Sequence, residues 1–121
     1  MFDWQEYLVL AQELRLKETE AALRSSISRA YYAAFCIALY RIHPDGYEAF
    51  SQNSHAALWN EYKQRQGRAF SHIGTRGDRI RKDRQAADYN PEVPELAKLA
   101  DKVLIEAKYI VEYLLARPSP V

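Results

Sequence analysis

The chain has 121 residues, 48% apolar and 27% charged, which fits one globular domain with a genuine core and excludes a disordered chain. Its single cysteine, Cys36, excludes a disulfide framework and a cysteine-rich zinc site, and no apolar run reaches the length of a bilayer span. Net charge is only +1, yet Lys63 to Arg84 holds eight basic residues against two acidic ones, while the remainder holds nine against fourteen. Such a block suggests an anionic partner; the alternative is a solvated helix face paired with acidic neighbours. Met1-Phe2-Asp3-Trp4 lacks the basic start and apolar core of a signal peptide, so a cytoplasmic address with no membrane partner is expected.

Trp4, Tyr7, Leu8, Ala11 and Leu14 recur at helical spacing and predict a first helix from Asp3 to Lys17, with Asp3 as its cap. The second runs from Glu20 to Ile42 on a stripe of Leu23, Ile27, Ala30, Tyr31, Ala34, Ala38 and Ile42. His43-Pro44-Asp45-Gly46 stops it, and a loop follows to Ser54. A third helix runs from Ser54 to Gln66, capped by Ser54, with Leu58, Trp59 and Tyr62 facing inward. Arg68 to Gly77 reads as loop, with further glycines and no clear period. The fourth helix starts near Asp78 and ends at Tyr89 before Asn90-Pro91. The last runs from Pro94 to Ala116, with Pro94 in its first turn. The expected fold is all-α, an up-and-down bundle of four to five helices over residues 1–117, with 118–121 a short disordered tail.

Between Ala21 and Ile42 the only charges are Arg24, Arg29 and Arg41. A helical wheel sets Ser25, Arg29, Tyr32 and Cys36 opposite the Ile27 stripe, so this helix is apolar almost all round. Such a helix is either central in its bundle or covered by a second subunit. A homodimer using part of this helix is expected. Cys36 reads as a small buried hydrophobe.

Gly74-Thr75-Arg76-Gly77 lacks the lysine and spacing of a phosphate loop, and His43, His55 and His72 lack metal-ligand spacing. No metal and no cofactor are expected. Ser25, Ser26 and Ser28 read as helix-packing or back-bonding serines rather than nucleophiles. His43 is expected at a helix C-terminus, and His55 at a helix start beside Trp59. On a fourth helix Arg81, Arg84 and Asp88 share one face. Two arginines one turn apart repel by a few tenths of about a kcal/mol, a cost that a bound anion would remove. Guanidinium suits bidentate phosphate binding. Asp88 can fix Arg84 from i+4, and a purely structural Arg84–Asp88 pair is the plainer alternative.

Ser28-Arg29-Ala30-Tyr31-Tyr32-Ala33-Ala34-Phe35 resembles a signature of small prokaryotic HEPN-family proteins, and Arg84-Gln85-Ala86-Ala87-Asp88-Tyr89 resembles their second signature. The resemblance spans about Asp3 to Ala116. It implies an all-α HEPN-like bundle that dimerises through its central helices. It also implies metal-independent ribonuclease chemistry in toxin or defence settings, with a small nucleotidyltransferase as a frequent partner. The family's site is an Arg followed after four to six residues by a His: the Arg holds the scissile phosphate and the His moves the 2′-hydroxyl proton. Here Asp88 and Tyr89 stand where the His would follow Arg84. An Arg-x6-His pair does run from Arg65 to His72. The expected catalytic set is therefore Arg84, Asp88, Tyr89 and His72, and the RNA-phosphate set is Arg81, Arg84, Arg29 and Tyr32. The competing expectation is a non-catalytic interaction module that pairs with a nucleotidyltransferase.

Overall fold

The computed structural model describes residues 1–46, 54–64 and 67–117, with Ser54 described by its backbone alone. Arg65, Gln66, most of the expected 43–54 loop and the 118–121 tail therefore lie outside the described residues, as does the expected Ser54 cap. Every regular element among the described residues is a helix: α1 (Gln5–Arg15), α2 (Glu20–Ile42), α3 (Ser54–Gln64), α4 (Arg68–Tyr89) and α5 (Leu96–Leu115). None is long and apolar enough to cross a membrane.

Local chemistry sets the ends. Trp4 takes the cap position of α1, and the Asp3 carboxylate accepts the Gln5 amide at 3.0 Å, so Asp3 caps from one residue further out. Glu18 turns the chain through φ 59°, and the Thr19 hydroxyl accepts the Ala22 amide at 3.2 Å to start α2. His43 closes α2, its amide bonding the Leu39 carbonyl, and its Nε2 meets the Glu61 carboxylate of α3 at 3.0 and 3.1 Å. Glu95, at φ 56°, precedes α5. Pro94 therefore lies in the turn before that helix, not in its first turn.

Helix α2 is central and packs against α1, α3, α4 and α5. Ile27, Ala30, Tyr31, Ala34 and Ala38 have no solvent exposure. The Ser26 hydroxyl donates to the Ala11 carbonyl at 2.7 Å, so that serine satisfies itself across to α1 rather than within its own helix. Opposite the core stripe, Ser25 is exposed while Arg29, Tyr32 and Cys36 are half-buried.

The expected loop at Arg68–Gly77 is instead the first half of α4. Its glycines are contact residues, not breakers. A Cβ on Gly74 would stand 2.5 Å from the Trp59 carbonyl oxygen and 2.6 Å from the Lys63 amide, and one on Gly77 would enter the Trp59 ring. Only glycine lets α3 and α4 approach this closely. Trp59, Leu58 and Tyr62 are fully buried in that seam.

Candidate functional site where α2, α3 and α4 meet

The two stretches that carry the family resemblance come together in space. Arg84 of α4 is 6% exposed and holds its guanidinium carbon 5.3 Å from the Tyr31 ring centre and 5.6 Å from that of Tyr32, both on α2. Its terminal nitrogen donates to Asp88 at 3.4 Å, while its Nε is buried with no hydrogen-bond partner among the described residues. Burying a guanidinium is costly unless charge and donors are met. Two ring faces and one carboxylate offset part of that cost, and a donor remains open.

Tyr32 is shared. Arg29 also packs on it, at 5.0 Å, and on Tyr7 at 4.7 Å. Arg29 has no carboxylate partner among the described residues. With Arg24, Ser25, Ser28, Ala87 and Asp88 it lines a groove of about 350 Å³ between α2 and the end of α4. Arg24 anchors that corner, donating to the carbonyls of Ala87 (2.8 Å), Asn90 (2.6 Å) and Pro91 (3.0 Å). These are carbonyls that the end of α4 and the following turn leave free.

The expected repulsion between Arg81 and Arg84 is settled by local acids. Arg81 turns back to Asp78 at 2.8 Å and Arg84 turns forward to Asp88. Asp78 also takes Lys63 at 3.2 Å and lies 3.9 Å from Lys82, so one carboxylate faces three cations. These partners hold its pKa below the usual carboxylate range, against the desolvation that would raise it. Arg81, Asp78 and Lys63 line a second groove of about 350 Å³ on the α3 side.

His55, expected to pack near Trp59, is joined to it through Tyr31. The Trp59 indole donates to the Tyr31 oxygen at 3.0 Å, and that hydroxyl lies 2.8 Å from His55 Nδ1. Indole only donates, so the tyrosine proton is left to point at Nδ1. This arrangement favours the Nε2–H tautomer of His55. Its ring stacks on Phe35 at 4.0 Å and rests against Tyr31 and Tyr32 at 5.6 and 5.7 Å. Burial, and then the charges of Arg84 and Arg81, push its pKa down to about 4, so it is neutral at pH 7. Sequence reasoning missed this cluster. Its signal was two i,i+4 pairs, Tyr31–Phe35 and His55–Trp59, which mark two faces that can interlock.

The remaining expected residues lie apart. Tyr89 is 76% exposed at the end of α4. His72 is helical, not in a loop, and sits on the α4–α5 seam, its Nε2 3.1 Å from the Tyr109 hydroxyl and its ring edge-on to Tyr113. Twelve residues separate it from Arg84 along one helix, roughly 18 Å of axial rise. Cys36 packs half-buried against the core, and burial raises its thiol to about 11. Among the described residues no three His, Cys, Asp or Glu side chains gather as metal ligands.

Comparison with models of known protein families, with curated proteins and with solved structures finds no match.

Proposed function

We propose that this chain is an RNA-linked helical module of the HEPN type, working as a homodimer in a toxin or defence setting. The observation that supports this best is the seating of Arg84 on Tyr31 and Tyr32, because it joins the two signature stretches at one place. Arg84 and Arg81 would hold an RNA phosphate, with Arg29 and Tyr32 along the neighbouring groove. Asp88 fixes the plane of Arg84. In cleavage, the ribose 2′-oxygen attacks phosphorus, the bond to the 5′-oxygen breaks, and the products are a cyclic phosphate and a 5′-hydroxyl. The nucleophile comes from the RNA itself; a protein group takes its proton, and a proton from an acid or from water goes to the departing 5′-oxygen.

A second reading has its own support. The imidazole that shares the Tyr31 and Tyr32 rings with Arg84 is held neutral, with its Nδ1 lone pair engaged. That state suits holding a ligand better than accepting a proton. On this reading the same surface is a non-catalytic interaction module whose partner is a nucleotidyltransferase.

The deciding test is cleavage of labelled total RNA by the purified protein in EDTA, comparing wild type with Arg84→Ala and His72→Ala. Cleavage abolished in a folded Arg84→Ala establishes a metal-independent nuclease; His72, roughly 18 Å along α4 from Arg84, could accept the proton only from the second copy of a dimer, and loss in His72→Ala would assign it that place. An intact, folded wild type that cuts nothing selects the interaction module.

A further inference from the structure

We propose that His55 is a phosphate-contacting residue: with Nδ1 held by Tyr31, its Nε2–H joins the Arg81 and Arg84 guanidiniums in one donor set for a phosphate of an RNA strand. This rests on the reading of Arg84 as a phosphate ligand.

Three observations carry it. First, the tautomer is biased from inside the protein: the Tyr31 hydroxyl takes the Trp59 indole on its oxygen, and the acceptor within reach of its own proton is His55 Nδ1. The outward nitrogen therefore bears hydrogen, and a neutral imidazole in this state donates there. Second, that Nε2 has no hydrogen-bond partner among the described residues and is not sealed from solvent as the Arg84 Nε is, so a donor is left without an acceptor on a half-buried ring. Third, His55 and Arg84 lean on the same two rings, and the charges of Arg84 and Arg81 are felt at the imidazole.

Among the described residues, these groups face His55 from the packed helices. Helix α2 presents Tyr31, Tyr32 and Phe35, α3 presents Trp59 through the Tyr31 hydroxyl, and α4 contributes Arg81 and Arg84. The carboxylates in reach of those arginines, Asp78 and Asp88, are engaged by them. The resulting array offers N–H donors and positive charge, while the Arg84 Nε is sealed from solvent and stands outside it. A group rich in acceptor lone pairs and negative charge complements it, and phosphate has both. Without an anion, burial and then the two guanidinium charges hold the imidazole neutral; an anion offsets the charge part and gives the imidazole a reason to protonate.

The test follows the three imidazoles by proton–nitrogen NMR, with His55 assigned through His55→Phe, which keeps a ring to stack on Phe35. One arm adds inorganic phosphate, and the other a short 2′-O-methyl oligoribonucleotide that cannot undergo 2′-oxygen attack. The expected free protein shows the Nε2–H form of His55 with a midpoint near about 4. The oligonucleotide should raise that midpoint by about one pH unit or more, and His55→Phe should weaken its binding about tenfold. A shift with inorganic phosphate too would mean that the phosphate group suffices. A shift with inorganic phosphate only would overturn the assignment to RNA. Oligonucleotide binding that Arg81→Gln weakens, but that leaves the His55 signals unmoved, would overturn the role of His55 and leave the Arg84 reading standing. No binding of the oligonucleotide at all would overturn both. Should His55→Phe fail to fold, the wild-type titration decides alone, with the signal left over from His43 and His72.

Discussion

Tyr31 and His55 form a buried-to-surface pair in which the tyrosine hydroxyl, itself bonded by Trp59, holds the histidine Nδ1 at 2.8 Å. One hydroxyl thus locks α2 to α3 and biases which face of the imidazole bears hydrogen. Burial raises the Tyr31 pKa far above the usual phenol range, so the hydroxyl stays protonated and keeps donating.

Tyr31→Phe removes that oxygen and little volume. Trp59 Nε1 and His55 Nδ1 then lose their partner together, and each unsatisfied buried group costs about 1–3 kcal/mol. Denaturant unfolding should show a loss of about 2 kcal/mol with an unchanged slope. A loss below about 0.5 kcal/mol would mean that water replaces the hydroxyl at no cost.

Stability should fall in mild acid through His55. Its folded pKa, about 4, lies below its ordinary value of 6.5, so the unfolded chain binds the proton more readily. The penalty is absent above about pH 6.5, grows as pH drops, and is complete below about pH 4. Discounted for the solvent that reaches this half-buried ring, the loss at pH 5 is about 1 kcal/mol. Urea unfolding of wild type and His55→Phe at pH 7 and pH 5 checks it: the variant should lose less stability between the two.

Much of the fold was legible because the apolar stripes of α2 and α5 are long and unbroken. The α5 spacing marks Leu96, Leu99, Ala100, Val103, Ala107, Ile110, Val111 and Leu114 as one face; the last six are buried and Leu96 and Leu99 half-buried. The start of α4 was not legible, because glycine carries two meanings. In isolation Gly74 and Gly77 disfavour a helix; against Trp59 they are the only residues that fit. The site was half legible. Arg84 with Asp88 followed from i,i+4 spacing, and the face that Arg29 and Tyr32 share from i,i+3 spacing. That Arg84 would be buried against Tyr31 and Tyr32, and that His55 would reach the same rings, depends on how α3 docks on α2 and α4, and no local pattern encodes that.

Gly77→Ala tests the close α3–α4 contact. The added methyl enters the Trp59 ring, which is fully buried and cannot swing aside. Overpacking of this kind costs about 1–3 kcal/mol, which outweighs the helix propensity gained, about 1 kcal/mol. Thermal unfolding should therefore show a lower Tm, with a changed Trp59 near-UV signal. A raised Tm would show that α3 yields at no cost.

The proposed homodimer can be tested on the half-buried face of α2. Because α2 already packs on four helices, an interface there has only Ser25, Arg29, Tyr32, Cys36 and their neighbours to offer. Light scattering with sizing at micromolar concentration should give twice the chain mass, and Tyr32→Arg, which adds a like charge beside Arg29 and Arg84, should halve it. A monomeric wild type would remove the dimer and leave α2 simply as the central helix of its bundle.

Asp88→Asn separates the structural from the binding role of Arg84. Arg84 is nearly sealed, and Asp88 is its carboxylate partner. Removing that charge while keeping a hydrogen-bond acceptor leaves the guanidinium buried on two rings with less compensation, a cost of about 1–2 kcal/mol. If Arg84 serves only to hold α4 on α2, Asp88→Asn lowers stability and leaves RNA affinity as it was. If Arg84 holds phosphate, the freed guanidinium and the lost negative charge should strengthen binding of a short oligoribonucleotide severalfold even as Tm drops. Affinity should also fall with added salt, with a slope on logarithmic axes of about −0.7 for each phosphate neutralised, and Arg81→Gln should flatten it by about one such contact. Because Asp88 also lines the Arg29 groove, the gain belongs to Arg84 only where it disappears in the Arg84→Gln/Asp88→Asn double variant.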